Sequence, residues 1–284
     1  MSPLRYPGGK ERLAPFLAET VRKARPRVRT YVEPFAGGCG AALSLLHDEL
    51  IDSIIINDLN PGIAAFWRSV VRDSSALIDA VRSCRPTVDE WHRQRFIYQA
   101  PDVSDLERGF ATFFLNRTNR SGIIDARPIG GLNQDGSWKI DARFNAEQLA
   151  SRIKLISSYR SRIQVQELDA RTLIKQVAEE QVQHFLYVDP PYIAQGGDLY
   201  MNALTWADHI ELAEILDGLS MPWVLTYDCD DRVVRKLYTK RRCGIYELSH
   251  TATAQRFGEE YFVVSDDVAV DNLAGFGPRS ASWL

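Results

Sequence analysis

The chain has 284 residues, 45% of them hydrophobic and 25% charged, with a formal net charge of −3. That composition suits one large globular domain, or one domain with an insert, and excludes collagen-like, low-complexity and disulfide-stapled chains. No apolar run approaches the ~18 residues of a membrane span, and the slight negative charge announces no nucleic-acid partner for the chain as a whole.

The opening residues MSPLRYPGGK lack the apolar core of a signal peptide. Cys39, Cys84, Cys229 and Cys243 form no CxxC pair and no metal spacing, so free thiols, a reducing cytoplasmic compartment and no metal are expected. Basic runs lie at Arg22–Arg29, Arg117–Arg127, Arg152–Arg162 and Arg232–Arg242. Each alone reads as a solvated face; together they permit a phosphate-binding groove if they share one side. The stretch Arg5–Lys10, RYPGGK, precedes a helix expected over about Lys10–Lys23. Its glycines allow close backbone approach to a ligand, and Lys10 can reach a carboxylate.

Thr30–Pro34 is the first strand candidate. It runs into Phe35-Ala36-Gly37-Gly38-Cys39-Gly40 and a helix from about Ala41 to Asp48. Strand, glycine turn and helix form a nucleotide-binding arrangement, although GxGxxG is absent. The stretch resembles the first motif of methyltransferases, with Glu33, Pro34, Phe35 and Gly37 matching and Cys39 standing where a second glycine is usual. A second strand, Ser53–Ile56, ends in Asn57-Asp58. Asp58 lies about 20 residues past the glycine turn, where an acidic side chain takes a ribose hydroxyl pair. It also reads as a helix cap ahead of Pro61.

From about Pro61 to Ser158 the strand signal largely disappears. Helices are expected near Gly62–Arg72, Ser75–Ser83, Val88–Gln99, Ser104–Leu115 and Ala146–Ser157. Between the last two lies a long polar loop, Asn116–Asn145. Arg117, Asn119, Arg120, Asn133, Gln134, Lys139 and Arg143 are side-chain types that read bases or hold phosphates, so this region is expected to recognise the target.

Strand signal resumes over Arg162–Leu168, ending at Asp169, and a helix over Arg171–Glu180 follows. Phe185–Val188 then reads as a buried strand that Pro190 and Pro191 forbid from continuing. A carboxylate, Asp189, and a ring, Tyr192, are thereby held on a stiff turn past a strand end, where ligands bind in open parallel sheets. This Asp-Pro-Pro-Tyr resembles the catalytic motif of amino-group methyltransferases, and the resemblance implies an exocyclic amine as substrate, a poor nucleophile. Asp189 and the Pro190 carbonyl can accept its two N–H groups and stabilise the charge that develops on attack, while Tyr192 offers a stacking face. Four residues alone also fit a plain strand-ending turn. Beyond Tyr192, the segment IAQGGDLYMNALTW reads as a loop closing over the base. A helix over Ala207–Leu219, a fifth parallel strand at Trp223–Thr226, a helix near Arg232–Tyr238 and an antiparallel pair at Ile245–Ser249 and Tyr261–Ser265 complete the core. The tail after Asp271 is expected to be loose.

The order of these signals resembles the Dam-like, DPPY-bearing DNA adenine N6-methyltransferases over Arg5 to about Asp267. FFLNRTNRSGI and DLYMNAL also look like that class. The resemblance implies an α/β fold: a doubly wound, seven-stranded, mostly parallel Rossmann-like sheet with its seventh strand antiparallel. Residues 1–60 and 159–270 would form the catalytic domain, 61–158 a helical target-recognition insert, and 271–284 a tail. It implies S-adenosylmethionine as methyl donor, with no metal. Tyr6 (where the family often has Trp), Lys10, Asp58 and Asp189 match cofactor positions, with Glu33, Phe35 and Gly37 in the first motif and Asp169 on the cofactor's adenine amine. The target adenine would be flipped out of duplex DNA and attack the methyl directly, in a monomer or weak dimer. An N4-cytosine or RNA base methyltransferase, an NAD-type oxidoreductase (which would leave DPPY unexplained) and a catalytically inactive DNA-binding module remain alternatives. A restriction-modification, phage or orphan role and the target site stay open.

Overall fold

The computed structural model describes residues 1–5, 10–193, 204–251, 255–273, 276 and 280–284, without the side chains of 248–251 and 255–257. Tyr6 and residues 194–203 of the loop expected over 193–206 therefore lie outside the described residues. The chain divides into two compact units, Met1–Gly9 with Asn60–Val165, and Lys10–Leu59 with Gln166–Leu284.

The second unit carries the sheet. Short apolar runs form β1 (Thr30–Glu33), β2 (Ser53–Asn57), β4 (His184–Val188) and β5 (Trp223–Asp228). β1 pairs in parallel with β2 and β4, and β4 with β5. β6 (Arg242–Thr251) and β7 (Gln255–Val264) are antiparallel to each other, and β7 is antiparallel to β5. With β3 (Ile163–Gln166) and β8 (Ala281–Trp283), the described strands follow the order β3-β2-β1-β4-β5-β7-β6-β8. The division between the units falls within β3.

Burial on both faces explains why β1 and β4 read as continuous apolar runs. On one face, Val32, Leu186, Val188, Leu225 and Tyr227 pack against Leu173, Ile174 and Val177 of α8 (Ala170–Glu179) and Leu212, Ala213 and Leu216 of α9 (Trp206–Asp217). On the other, the Tyr31 and Phe185 rings stack with centroids 5.9 Å apart. Phe16 of α1 (Ala14–Lys23) meets Phe262 there, and α2 (Gly40–His47) packs on α1. Helices on both faces are the doubly wound arrangement. An eighth strand joins the seven expected. Ala281–Trp283 pairs with β6 in the tail read as loose, where the Trp283 ring packs 5.1 Å from Phe262. The stretch read as a helix near Arg232–Tyr238 is one π turn, Val233–Leu237.

The first unit is helical: α3 (Pro61–Arg72), α4 (Ser74–Ser83), α5 (Val88–Gln99), α6 (Asp105–Thr118) and α7 (Ala146–Ser157). Local chemistry sets their starts. Asn60 caps α3 ahead of Pro61, and Ser104 with Glu107 forms a capping box on α6. α3 and α6 touch closely at Gly109, where a Cβ would come 2.8 Å from the Ala65 carbonyl oxygen. The Phe66 and Phe113 rings stack beside it at 5.5 Å. Met1–Gly9 belongs to this unit rather than to the sheet. Asn116 accepts from the Arg5 amide and donates to the Arg5 carbonyl, both at 2.7 Å.

The polar stretch 116–145 is more ordered than its composition suggests. α6 runs on to Thr118, a 3-10 turn covers Arg120–Gly122, and Asn119 bridges to Pro128. The Gln134 amide donates to the Ile129 carbonyl at 2.8 Å and accepts from the Ile140 amide at 2.8 Å.

Candidate active site

The carboxyl ends of β1, β2 and β3 are stapled by Asn57, which is buried. Its amide donates to the Pro34 and Leu168 carbonyls at 2.8 and 2.9 Å and accepts from the Leu168 amide at 2.8 Å. Beside it the glycine turn closes with Gly37 at φ 46° and Cys39 at φ 51°. Left-handed backbone at a cysteine costs an L-residue about 1–2 kcal/mol. The position therefore demands what glycine supplies freely, consistent with the glycine usual there. The half-buried Asp58 carboxylate accepts the Gly37 amide at 2.9 Å, fixing the turn from below. Phe35 packs its partly buried ring on the apolar core.

Two residues read as cofactor ligands serve the protein's own backbone. Glu33 is 4% exposed and accepts the Ala42 amide at 3.0 Å, in the first turn of α2. Asp169 caps α8 through the Arg171 amide at 2.8 Å and pairs with the Arg171 guanidinium at 2.7 Å, which holds its carboxyl below the usual range. Neither faces a cofactor unencumbered: the first motif buries its acid, and the helix start captures the other.

Burial pushes the Glu33 carboxyl up to about 8, against the pull of the Ala42 amide. The unfolded chain releases that proton near the usual carboxylate value. Between the two values the folded state holds the extra proton, so stability falls as pH rises through that window. Glu33→Gln keeps the shape without the charge. Its melting temperature should exceed that of the parent by a margin that grows from about pH 5 to about pH 9. Thermal melts at both ends check this, and a margin independent of pH would contradict it.

At the end of β4 the chain turns through Asp189, Pro190 and Tyr192. Two donors converge on one oxygen of Asp189: Thr226 Oγ1 at 2.7 Å and Lys10 Nζ at 3.2 Å, both on Oδ1. Tyr187 hydrogen-bonds Thr226 Oγ1 at 2.9 Å; with the threonine proton committed to Asp189, Tyr187 is the donor. Oδ2 is left with no donor among the described residues, on a side chain 23% exposed. Burial and the nearby Glu260 carboxylate push Asp189 up, opposed by Lys10 and Thr226.

Lys10 is 8% exposed and holds Glu260 at 2.6 Å as well as Asp189, so its ammonium is pushed up. It lies 5.7 Å from the Tyr192 ring centroid. The Tyr192 hydroxyl donates to Glu260 Oε1, and the Ile193 amide donates to Asp228 at 3.2 Å, which fixes the turn behind the ring. The structure brings together Lys10, Asp189 and Tyr192, which the sequence reading names, with Glu260, Thr226 and Tyr246, which it does not; the Tyr246 hydroxyl donates to Glu260. The available signal was phase: Glu260 alternates in register with Phe262 and Val264, both buried.

Among the residues expected to touch nucleic acid, Arg120, Asn133, Lys139 and Arg143 are exposed. Asn119 is fully buried and is corrected to a structural role. It accepts the Trp91 indole N–H at 2.6 Å and donates to the Ile123 and Ile124 carbonyls. Arg117 donates to the Arg143 carbonyl at 2.8 Å. Burial, with Arg5, Arg152 and Arg143 close by, pushes it down to about 10. No group of three or more His, Cys, Asp or Glu among the described residues could hold a metal, and no described helix is long and apolar enough to cross a membrane.

Residues 6–254 match a family model described as D12 class N6 adenine-specific DNA methyltransferase. Type II methyltransferase M.MjaIII of Methanocaldococcus jannaschii is 26% identical over 203 residues, covering 66% of this chain and 68% of its own. The retron Ec67 DNA adenine methylase of Escherichia coli is 24% identical over 77% of this chain and 75% of its own. The DNA adenine methylase of Vibrio cholerae is 24% identical over 90% and 91%. The solved rRNA methyltransferase aviRa from Streptomyces viridochromogenes superposes on 91% of this chain and 85% of its own at a TM-score of 0.39 and 15% identity, too distant to carry an argument.

Proposed function

Because the chain belongs to the family of D12 class N6 adenine-specific DNA methyltransferases, we propose that the corner formed by Asp189, Pro190 and Tyr192 receives an adenine flipped out of duplex DNA and promotes methylation of its N6 amine. The observation that carries this reading is the asymmetry of Asp189. Among the described residues its internal donors occupy Oδ1, and Oδ2 stays open on a partly exposed side chain. An open, oriented acceptor is what an amine N–H needs.

Asp189 Oδ2 accepts one N–H and the Pro190 carbonyl accepts the other. Together they draw electron density onto the nitrogen and stabilise the positive charge that grows there. Tyr192 stacks on the base. Lys10 and Thr226 hold Asp189 in place, so little reorganisation remains at the moment of reaction. Flipping is required because the amine is otherwise buried in base pairing. The family's description, an adenine-specific methyltransferase acting on DNA, favours this reading over the N4-cytosine, RNA and binding-module alternatives.

S-adenosylmethionine supplies, when bound, an electrophilic methyl group on sulfur. The residues present fit it at the ends of β1 and β2. The left-handed turn at Gly37 and Cys39, the partly exposed Phe35 ring and the Asp58 carboxylate form a place for a nucleoside, with the α2 N-terminus alongside. Lys10 and Asp189 border it, and Tyr6 is assigned to it by position in the motif alone. Glu33 and Asp169 support this place from behind rather than touching the ligand. No metal is assigned a role.

DNA contacts are assigned to the exposed Arg120, Asn133, Lys139 and Arg143 of the helical unit. Arg117 is depressed first by burial, and Arg5, Arg152 and Arg143 add their repulsion, which phosphates would relieve. The protein is assigned as a monomer or weak dimer acting in the cytoplasm. The test is transfer of a labelled methyl group to duplex DNA, followed by digestion to nucleosides. Label in N6-methyl-2'-deoxyadenosine, with duplex preferred over single strand, is expected. Label confined to another nucleoside, or none, would refute the reading.

A further inference from the structure

We propose that Glu260 is the positioning residue of this corner: one buried carboxylate that sets the Tyr192 ring and the Lys10 ammonium against Asp189. The inference rests on the roles given above to Asp189 and Tyr192.

Glu260 is 2% exposed and lies within β7, in register with Asp228 of β5 and Tyr246 of β6. Pairing on both sides fixes its backbone. Three donors meet its two oxygens: the Tyr192 hydroxyl on Oε1, and Lys10 Nζ and the Tyr246 hydroxyl on Oε2. A carboxylate offers about four lone-pair sites, so this one is nearly filled. Tyr246 lies outside the catalytic corner, and its hydroxyl holds the carboxylate from the far side.

Two consequences follow for Asp189. Lys10 sits at 2.6 Å from Glu260 but 3.2 Å from Asp189. The ammonium is thus anchored on β7 and only leans on the catalytic acid, which keeps a carboxylate there without drawing off its basicity in a tight pair. Tyr192, tethered through its hydroxyl, presents its ring in one orientation instead of swinging about χ1. A buried ion pair that served stability alone would need neither tyrosine.

The charged and titratable groups facing Asp189 are Lys10 ahead of α1, Tyr31 and Glu33 on β1, Tyr187 on β4, Tyr192 on the turn, Tyr227 on β5, Tyr246 on β6 and Glu260 on β7. Of these, Lys10 favours ionisation of Asp189, and Glu260 opposes it. Removing the charge of Glu260 therefore lets Asp189 ionise at lower pH.

The experiment is steady-state kinetics of Glu260→Gln on duplex DNA across pH. We expect kcat to fall about 10²-fold, the scale of a misplaced reacting group, with KM for S-adenosylmethionine held within about threefold. The acid limb of the kcat/KM profile should move to lower pH. Tyr246→Phe, which spares every group in the corner itself, should lower kcat about fivefold, the worth of one hydrogen bond; it decides the matter if the glutamine variant does not fold. Parental kcat and an unmoved acid limb in Glu260→Gln would overturn the proposal. So would a loss matching only the unfolded fraction, or parental kcat in Tyr246→Phe where the glutamine variant is unfolded. An inactive parent enzyme, or a fully active Asp189→Ala, would instead refute the reading of the corner itself.

Discussion

Asp189→Ala is expected to slow methyl transfer by about 10³-fold, the upper range for deleting one preorganised group that stabilises transition-state charge. The substitution removes the oriented side-chain acceptor that the proposal assigns to the amine. It leaves the surroundings electrically sound, because Lys10 keeps its closer partner Glu260 at 2.6 Å. The folded state should survive, and affinity for S-adenosylmethionine should fall only in part. Single-turnover transfer of a labelled methyl group, beside calorimetric titration of the cofactor, separates the two effects. Transfer at the parental rate would remove Asp189 from the chemistry.

Lys10→Met should do damage of another kind. Lys10 is the cation shared by Asp189 and Glu260, and its loss leaves two neighbouring carboxylates in a site already unfavourable to charge. Breaking a buried pair from one side costs about 3–5 kcal/mol. One carboxylate will then hold a proton into the neutral range. Asp189, already pushed up by burial, is the candidate, and a protonated Asp189 cannot serve as the acceptor. The folded state binds that proton more tightly than the unfolded chain, so stability of the variant should fall as pH rises. Denaturant melts should show a larger deficit against the parent at about pH 8 than at about pH 5. Equal deficits at both pH values would mean that the two carboxylates do not share one cation.

What the sequence made legible was what depends on neighbours in the chain. The glycine turn, the proline corner and the strand ends at Asn57 and Val188 declare themselves within a few residues. So do the starts of α3 and α6, whose caps are spelled out by Asn60-Pro61 and by Ser104 with Glu107. What stayed hidden depends on distant contacts. Lys10 and Glu260 are 250 positions apart, and no local pattern joins them. Asn119 and Gln134 were misread for a chemical reason: an amide that can read a base edge can equally satisfy buried carbonyls, and here the carbonyls are present. Asp169 and Glu33 follow the same logic, since a carboxylate at a helix start finds backbone N–H groups before it finds a ligand. The eighth strand escaped notice because a three-residue strand carries too little pattern to read.

The most direct test of the corner is a structure of the protein with duplex DNA and a non-reactive analogue of S-adenosylmethionine. The N6 amine of an extruded adenine should lie about 3 Å from Asp189 Oδ2, at hydrogen-bonding distance, with its base on the Tyr192 ring. An adenine left paired in the duplex, or one whose amine is turned away from Asp189, would contradict the assignment.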